Sequence, residues 1–266
     1  MNKNERDKKA QKLLDNIYRE IALLAKRGES LAKVDRRIRH LIEVESNTSS
    51  DNIEVQSSTK DYNKFGSVIS WGINEVAAHM QSKSCQTLTG GDLVSADVAI
   101  EVGGHHYDSC RSFLVPGDKI KNRERKQKLL EVSYKARELG ISMAKPGTSL
   151  QSIREAVCTY VNQEGLYPLP TIGGHGIYDQ LHHEPLILFG SVPGKYDGYI
   201  LKEGDRITIE PIIAERTGEL RTAQDGWSLY LDEDNLSAYW EETLEVTSDE
   251  PRVLTRTKDY FNTERE

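Results

Sequence analysis

A strict alternation of side chains that leads into a Gly-Gly pair is the strongest constraint on the fold of this chain. Apolar residues occupy every second position from Val94 to Val102, and the positions between them are polar or small. Gly103-Gly104 follows, and two glycines supply the backbone angles that a tight hairpin turn requires. The segment 92–115 is therefore predicted to be a β-hairpin with one apolar face and one face that carries carboxylates.

This hairpin places two aspartates on one face. A two- or four-residue loop around Gly103-Gly104 pairs Asp97 with Cys110, and Asp108 then lies diagonally beside Asp97. Diagonal neighbours on an antiparallel pair lie roughly 7–8 Å apart, a separation that two carboxylates can close onto one cation. The hairpin alone leaves two alternatives open, because such carboxylates either share a cation or are solvated.

Two pairs of amphipathic helices flank the hairpin in the sequence. One pair joins at Gly28 and the other at Gly147, and a serine that can cap the next helix follows each glycine. The segments 25–31 and 144–150 agree at five of seven positions. Strands follow each pair, including one predicted over 67–76 with an irregularity at its glycine. The order predicts an α+β fold of two similar halves that face each other.

Charge and cysteine usage exclude several classes of protein. The net charge of −7 gives no overall attraction to nucleic acid or to acidic membranes. The three cysteines are widely spaced and form no CxxC pair, which argues against a disulfide framework and against a zinc ribbon. The N-terminus has no apolar signal core, and no apolar run reaches membrane-spanning length. We expect a cytoplasmic monomer with no nucleic-acid or membrane partner.

Three further candidate ligands follow in the second half of the chain. His175 lies between glycines, where backbone can approach closely and an imidazole is unobstructed. Glu210 ends a predicted strand just before a proline, and Glu241 lies on the face opposite the apolar residues of its own strand. A single histidine in a glycine-rich loop is more often structural or exposed than a ligand, but the joint pattern favours a ligand.

Four carboxylates and one imidazole form a donor set that suits divalent metal ions. Hard oxygen donors with one nitrogen favour two first-row ions over a structural zinc, which would favour thiolates. Two ions that share carboxylates would activate a bridging water and polarise a carbonyl, and both effects assist the hydrolysis of an amide.

With these residues in place, the chain resembles the pita-bread metallopeptidases, and within them the bacterial-type methionine aminopeptidases. The motifs that carry the resemblance are, in chain order, Asn74-Glu75-Val76 with His79, Asp97, His106-Tyr107-Asp108, Gly174-His175-Gly176-Ile177, His182 with Glu184-Pro185, Thr208-Ile209-Glu210-Pro211, Asp225-Gly226-Trp227, and Ser237-Ala238 with Glu241 and Thr243. The resemblance implies a single pita-bread catalytic domain over 1–266, with a short disordered or helical N-terminus at 1–6 and a C-terminal tail at about 258–266.

The resemblance also implies a role for each site residue. Two divalent ions, for which Co, Mn, Fe, Zn and Ni are all candidates, would be held by Asp97, Asp108, His175, Glu210 and Glu241, with Asp108 and Glu241 bridging. His79 and His182 would act on the substrate amide and its tetrahedral intermediate, and Glu210 would shuttle a proton. The substrate pocket would be lined by Tyr62, Phe65, Ser70, Leu181 and Trp227.

The chain departs from the family pattern around the cleft. Met80-Gln81-Ser82 replaces the usual Gly-Ile-Pro after the first histidine, which implies a differently shaped lip. Five single positions also differ, namely Ser70, Ala99, Tyr107, Leu181 and His183, where relatives often have cysteine, threonine, glycine, an aromatic and an acidic residue. The hydrolytic residues are retained, so the departures affect the preferred substrate side chain.

Three hypotheses about function follow. The first is a metal-dependent aminopeptidase that removes the N-terminal residue, above all initiator methionine, from nascent chains or peptides. The second is a pita-bread hydrolase that acts on another small amide or on Xaa-Pro peptides. The third is a non-catalytic binding module of the same fold, which the retained ligands argue against because a crowded carboxylate cluster without metal costs stability.

Overall fold

The computed structural model describes residues 1–48, 53–56, 66–83, 86–190 and 193–261. Its two helix pairs are α1 (Lys3–Leu24) with α2 (Leu31–Thr48), and α3 (Arg123–Met143) with α4 (Leu150–Gln163). The side chain of Asn2 caps α1, and that of Ser149 caps α4 as predicted. None of the described helices combines the length and the apolar character needed to cross a membrane.

The strands between and after the helices are short except for those of the central hairpin. In chain order they are β1 (Ile53–Gln56), β2 (Ser70–Ile73), β3 (Val76–Met80), β4 (Leu93–Val102), β5 (His105–Leu114), β6 (Tyr167–Pro168), β7 (Gly173–Gly176), β8 (His183–Leu188), β9 (Arg206–Ile209), β10 (Ile213–Ala214), β11 (Arg221–Thr222), β12 (Leu229–Tyr230), β13 (Ser237–Ala238), β14 (Glu241–Glu245) and β15 (Arg252–Val253).

Among the described residues, twelve strands form one large antiparallel sheet. Its order is β11-β12-β3-β2-β4-β5-β14-β9-β7-β8, with β1 beside β4 and β15 beside β14. A second, three-stranded sheet has the order β13-β10-β6. Strand β14 therefore joins β5 of the first half to β9 of the second half, and this junction lies at the centre of the large sheet.

The predicted hairpin forms β4 and β5. Its register runs without interruption from Leu93 opposite Leu114 to Val102 opposite His105. The two-residue turn is Gly103-Gly104, whose φ angles of 58° and 75° are left-handed, as a type I′ turn requires. The prediction of the hairpin, its turn and its register is confirmed.

The single strand predicted over 67–76 is wrong. The chain forms β2, reverses at Asn74 and Glu75, and returns as β3. Asn74 has a φ of 54°, and its side chain fixes the turn because Oδ1 accepts from the Leu93 N–H and Nδ2 donates to Asp92, both at 3.0 Å. The expected irregularity at Gly72 is present as a register shift between β2 and β3.

Both faces of the hairpin are buried. Val94, Val98 and Ile100 point toward α1 and α2 and belong to the core of the first half. An equivalent core packs α3 and α4 against β9 and β14. The opposite face, which carries Asp97 and Asp108, is also covered, so the solvated alternative for these carboxylates is excluded.

The internal repeat is visible at the level of individual backbone hydrogen bonds. Gly28 and Gly147 have φ angles of 84° and 89°, and each forms the turn between its two helices. Three equivalent backbone hydrogen bonds then connect each turn to a neighbouring segment. In the first half they are Gly28 N to Leu88 O, Leu88 N to Glu29 O and Leu31 N to Gln86 O. In the second half they are Gly147 N to Leu201 O, Leu201 N to Thr148 O and Leu150 N to Tyr199 O. The predicted similarity of the two halves is confirmed.

Candidate metal centre

The hairpin register brings the two predicted aspartate ligands together. Because Asp97 is opposite Cys110 and Ala99 is opposite Asp108, both aspartate side chains lie on one face, with exposed fractions of 4% and 2%. The two carboxyl groups are within hydrogen-bonding reach of each other. Ser70 of β2 is opposite Asp97 on the other side and is also buried on this face.

The junction strand continues the same row. Glu241 of β14 is opposite Cys110 of β5, so Asp97, Cys110 and Glu241 follow one another across three adjacent strands. Paired residues in antiparallel strands project from the same face of the sheet. Glu241 therefore points to the same side as the two aspartates, although its sequence position gave no indication of this partner strand.

His175 and Glu210 reach the centre from β7 and from the end of β9. A side chain on Gly174 would lie 2.3 Å from the carbonyl oxygen of Thr208, so only glycine lets β7 approach β9 this closely. The hydroxyl of Thr208 accepts from the His175 N–H and donates to Glu210 Oε1, each at 3.1 Å. One threonine thus sets the relative position of two predicted ligands.

The imidazole of His175 presents a lone pair to the carboxylates. Nδ1 lies 3.0 Å from the Gly176 carbonyl oxygen, and a carbonyl only accepts, so Nδ1 carries the proton. Nε2 is then unprotonated and lies 3.9 Å from Asp108 Oδ2 and 3.6 Å from Glu210 Oε1. Burial, with the nearby imidazole of His182, lowers the pKa of His175 to about 3. This is the tautomer that a metal-binding histidine needs.

The carboxylates repel one another in the absence of a cation. Burial raises the pKa values of Asp108, Glu210 and Glu241 well above their usual range, and the neighbouring carboxylates raise them further. Among the described residues, Glu241 Oε1 is buried and has no hydrogen-bond partner. One ligand atom each from Asp108, His175 and Glu241 lies within 4.8 Å of the others. Oxygen donors with one imidazole at this spacing fit a divalent cation.

Two histidines flank the centre. The ring of His182 packs edge-on against that of His175, with 4.5 Å between the centroids. His79 has a left-handed φ of 61°, and its N–H donates to the hydroxyl of Ser70 at 3.3 Å. Burial and the imidazole of His182 lower the pKa of His79 to about 4. His182 thus contacts one predicted ligand, and His79 adjoins Ser70, which is opposite the predicted ligand Asp97.

Apart from Ser70, which is buried opposite Asp97, the predicted pocket residues divide into three groups. Leu181 is buried with Ala99 and Ile177 in a small apolar cluster, and Ala99 is directly opposite Asp108. Trp227 is half-buried in the loop of the β11–β12 hairpin, which pairs with the strand of His79. Tyr62 and Phe65 lie outside the described residues.

Sequence reasoning missed three groups of residues that support the centre. The Tyr239 hydroxyl donates to Asp97 Oδ2 at 3.1 Å. The Thr243 hydroxyl accepts from the Asp108 N–H and donates to the Asp108 carbonyl, both at 2.8 Å. Behind the sheet, Arg111 and Glu242 form a buried ion pair at 3.1 Å. Only Thr243 had a signal in the sequence, because it belongs to one of the family motifs. The roles of Tyr239, Arg111 and Glu242 depend on the pairing of β5 with β14, which the sequence does not indicate.

Known proteins resemble this chain over nearly its whole length. The chain is 29% identical over 255 residues to a methionine aminopeptidase from Escherichia coli (strain K12), covering 96% of this chain and 92% of the relative. It is 34% identical over 194 residues to methionine aminopeptidase B from Synechocystis, covering 73% and 69%. The crystal structure of methionine aminopeptidase from Rickettsia prowazekii superposes with a TM-score of 0.82 at 25% identity, covering 96% and 99% of the two chains.

These similarities confirm the predicted pita-bread fold. The family model for "Metallopeptidase family M24" matches residues 5–248, a span that includes nearly all of both helix pairs and every predicted ligand. Because this match spans both halves and their junction, the chain belongs to metallopeptidase family M24.

Proposed function

We propose that this metallopeptidase is an aminopeptidase that removes the N-terminal residue, initiator methionine above all, from peptides and nascent chains. The observation that carries the proposal is the convergence of buried ligand atoms from both halves, with the unprotonated Nε2 of His175 turned toward Asp108 and Glu210. The full-length similarity to methionine aminopeptidases supports it and favours it over an Xaa-Pro peptidase. A binding module without catalysis would gain nothing from this costly cluster.

Two divalent ions would be held by Asp97, Asp108, His175, Glu210 and Glu241, with Asp108 and Glu241 in contact with both. When bound, such ions lower the pKa of water and polarise a carbonyl. They also offset the repulsion that raises the pKa values of the carboxyl groups in the metal-free protein.

The remaining chemistry would belong to the side chains of this chain. Glu210 would accept a proton at a carboxylate oxygen and pass it to the leaving amine. His79 is neutral at physiological pH and can donate one N–H to the substrate amide. His182, whose ring contacts that of His175, would act on the oxygen at which negative charge develops.

The substrate side chain would meet an apolar surface. The cluster of Leu181, Ala99 and Ile177 lies beside Asp108, and the unbranched, polarisable side chain of methionine adapts well to such a surface. Trp227 would close the pocket from the β11–β12 hairpin. The carboxylates would attract the cationic amino terminus of a peptide, which an internal peptide bond does not offer.

A metal titration of the stripped protein tests this proposal. Hydrolysis of Met-Ala-Ser should be absent without metal and should appear as Mn(II) or Co(II) is added. The N-acetylated peptide should not be cleaved, because it lacks the free amino group. A set of peptides that vary only at the first residue, together with one Xaa-Pro peptide, separates the methionine hypothesis from its alternative. Hydrolysis that is indifferent to metal removal would refute the proposal, and faster cleavage of the Xaa-Pro peptide would replace it.

We further propose that the protein acts in the cytoplasm as a monomer. The cysteine usage described above, three widely spaced residues without a CxxC pair, supports the reducing compartment. Fractionation of the source cells and sedimentation of the purified protein measure these two properties directly.

A further inference from the structure

Tyr239 occupies a rigid position between β13 and β14, next to the junction of the two halves. Its backbone N–H donates to the Ser112 hydroxyl at 3.3 Å, and that hydroxyl donates to the Tyr239 carbonyl at 2.5 Å. Because the Ser112 proton is used in this way, Ser95 donates to Ser112 at 2.7 Å. The two serines therefore fix the backbone of Tyr239 against the central hairpin.

The ring of Tyr239 is buried in an apolar cluster on the inner side of the sheet. Its neighbours there include Ala77 and Ala78 of β3, whose small side chains leave room for an aromatic ring, and Leu169 and Ile212 from the second half. The phenol hydroxyl extends from this cluster to Asp97 Oδ2 at 3.1 Å. Neither the ring nor the hydroxyl can change position without disturbing packing that involves both halves.

A carboxylate ligand such as Asp97 holds its orientation only when neighbouring groups restrain it. The terminal torsion of an aspartate is broad, so its carboxylate rotates readily unless hydrogen bonds fix it. Asp97 also faces the carboxyl group of Asp108, which repels it when both are charged. Asp108 is restrained by the Ser109 N–H at 3.0 Å, and Glu210 is restrained by Thr208. Asp97 is restrained at Oδ2 by the Tyr239 hydroxyl.

We propose that Tyr239 is a positioning residue that orients Asp97 for one of the two metal ions. Protein groups that orient a metal-binding side chain typically change metal affinity by 10- to 100-fold. Asp97 would contact one ion only, whereas Asp108 and Glu241 would contact both. Loss of the Tyr239 hydroxyl should therefore weaken the binding of one ion and leave the binding of the other unchanged. The inference rests on the proposed two-ion centre.

The test is Tyr239→Phe, which removes one oxygen atom and keeps the ring in its cluster. Metal-free protein is titrated with Co(II) by calorimetry, and the visible absorption of Co(II) is recorded at each step. We expect two binding steps in the unaltered protein. In Tyr239→Phe one step should weaken about 10- to 100-fold, with a changed Co(II) spectrum for that ion, and the other step should be unchanged.

A matched control is available outside the centre. Tyr199 also donates from its hydroxyl to an aspartate, Asp205, at 3.1 Å. Tyr199→Phe removes a comparable bond on the rim of the second half, and both Co(II) steps should stay as in the unaltered protein. Thermal unfolding of both variants verifies that the fold is retained.

The outcomes separate the inference from the proposed function. Two steps that both weaken, or two that both stay unchanged, would overturn the positioning role of Tyr239. A single step in the unaltered protein would contradict the two-ion centre instead. In that case, weakening of this step by Tyr239→Phe would still support the restraint on Asp97, and an unchanged step would overturn it.

Discussion

Replacing Glu242 with glutamine should destabilise the protein strongly, although the exchange is nearly isosteric. Glu242 has no exposed surface and follows the predicted ligand Glu241 on the opposite face of β14. Its Oε1 lies 3.1 Å from Arg111 and 3.3 Å from Arg137, and its Oε2 accepts from Thr255 at 2.6 Å. Burial would raise the pKa of Glu242, but the guanidinium groups hold it below its usual value. The carboxylate is therefore the charged partner of two buried cations.

The magnitude follows from what remains after the exchange. Glutamine keeps the shape but replaces one accepting oxygen with a donating amide nitrogen and removes the negative charge, so Arg111 and Arg137 would face each other across a neutral amide. Removing one partner of a buried ion pair typically costs about 3–5 kcal/mol, because the other charge is left uncompensated. Glu138 contacts Arg137 from its half-exposed position and offsets a part of this cost. We expect a loss of at least about 3 kcal/mol.

Urea unfolding of the metal-free protein, followed by circular dichroism, measures this loss. Glu131→Gln is the matched control, because Glu131 forms an exposed pair with Lys135 at 2.6 Å and its loss should lie within experimental error. The double variant Glu242→Gln with Arg137→Met should recover part of the loss, since one uncompensated cation is removed. A Glu242→Gln protein as stable as the unaltered one would refute the assignment of Glu242 as the buried counter-ion.

Three other variants test the centre itself. Glu210→Gln should lower kcat by about 10²-fold or more and yet raise the stability of the metal-free protein at neutral pH, because one of the repelling carboxylates is removed; kinetics and thermal unfolding measure the two effects. Thr243→Val should cost about 2–4 kcal/mol in urea unfolding, since it leaves the N–H and the carbonyl of Asp108 unsatisfied, whereas Thr243→Ser should cost much less. The pKa of His79 is lowered to about 4, against about 6.5 in an unfolded chain. Its neutral ring therefore stabilises the metal-free protein above about pH 6.5, and this contribution is lost as the pH falls toward 4. Unfolding temperatures between pH 4 and 7 should therefore depend less on pH in His79→Gln.

Local patterns in the sequence predicted much of the fold. The hairpin was predictable because alternation fixes its faces and two glycines fix its turn, so the pairing of Asp97 with Cys110 followed by counting. The helix pairs were predictable because an apolar stripe, a glycine and a capping serine are local signals. The reversal at Asn74 was missed because its stabilising bonds go to Asp92 and Leu93, which a local pattern does not include.

The composition of the candidate centre was predictable, and the way in which it is assembled was not. Residue types and the family resemblance indicated the five candidate ligands, three of which present ligand atoms within 4.8 Å of one another. Nothing in the sequence indicated that β5 pairs with β14, which sets Glu241 beside Cys110 and Glu242 beside Ser109. The roles of Tyr239, Arg111 and Glu242 depend on this long-range pairing. Such pairings are determined by the packing of the whole chain and leave no local periodicity.

The row of Asp97, Cys110 and Glu241 across three neighbouring strands leaves a thiol between two carboxylates. The register of the sheet, and not the chemistry of the thiol, directs position 110 toward the candidate centre. Under the proposed function, any residue accepted there would face the proposed ions, so one exchange could make the donor set softer or harder without moving a strand. Under that proposal, the residue at position 110 would influence the choice of metal independently of the fold that holds the other donors.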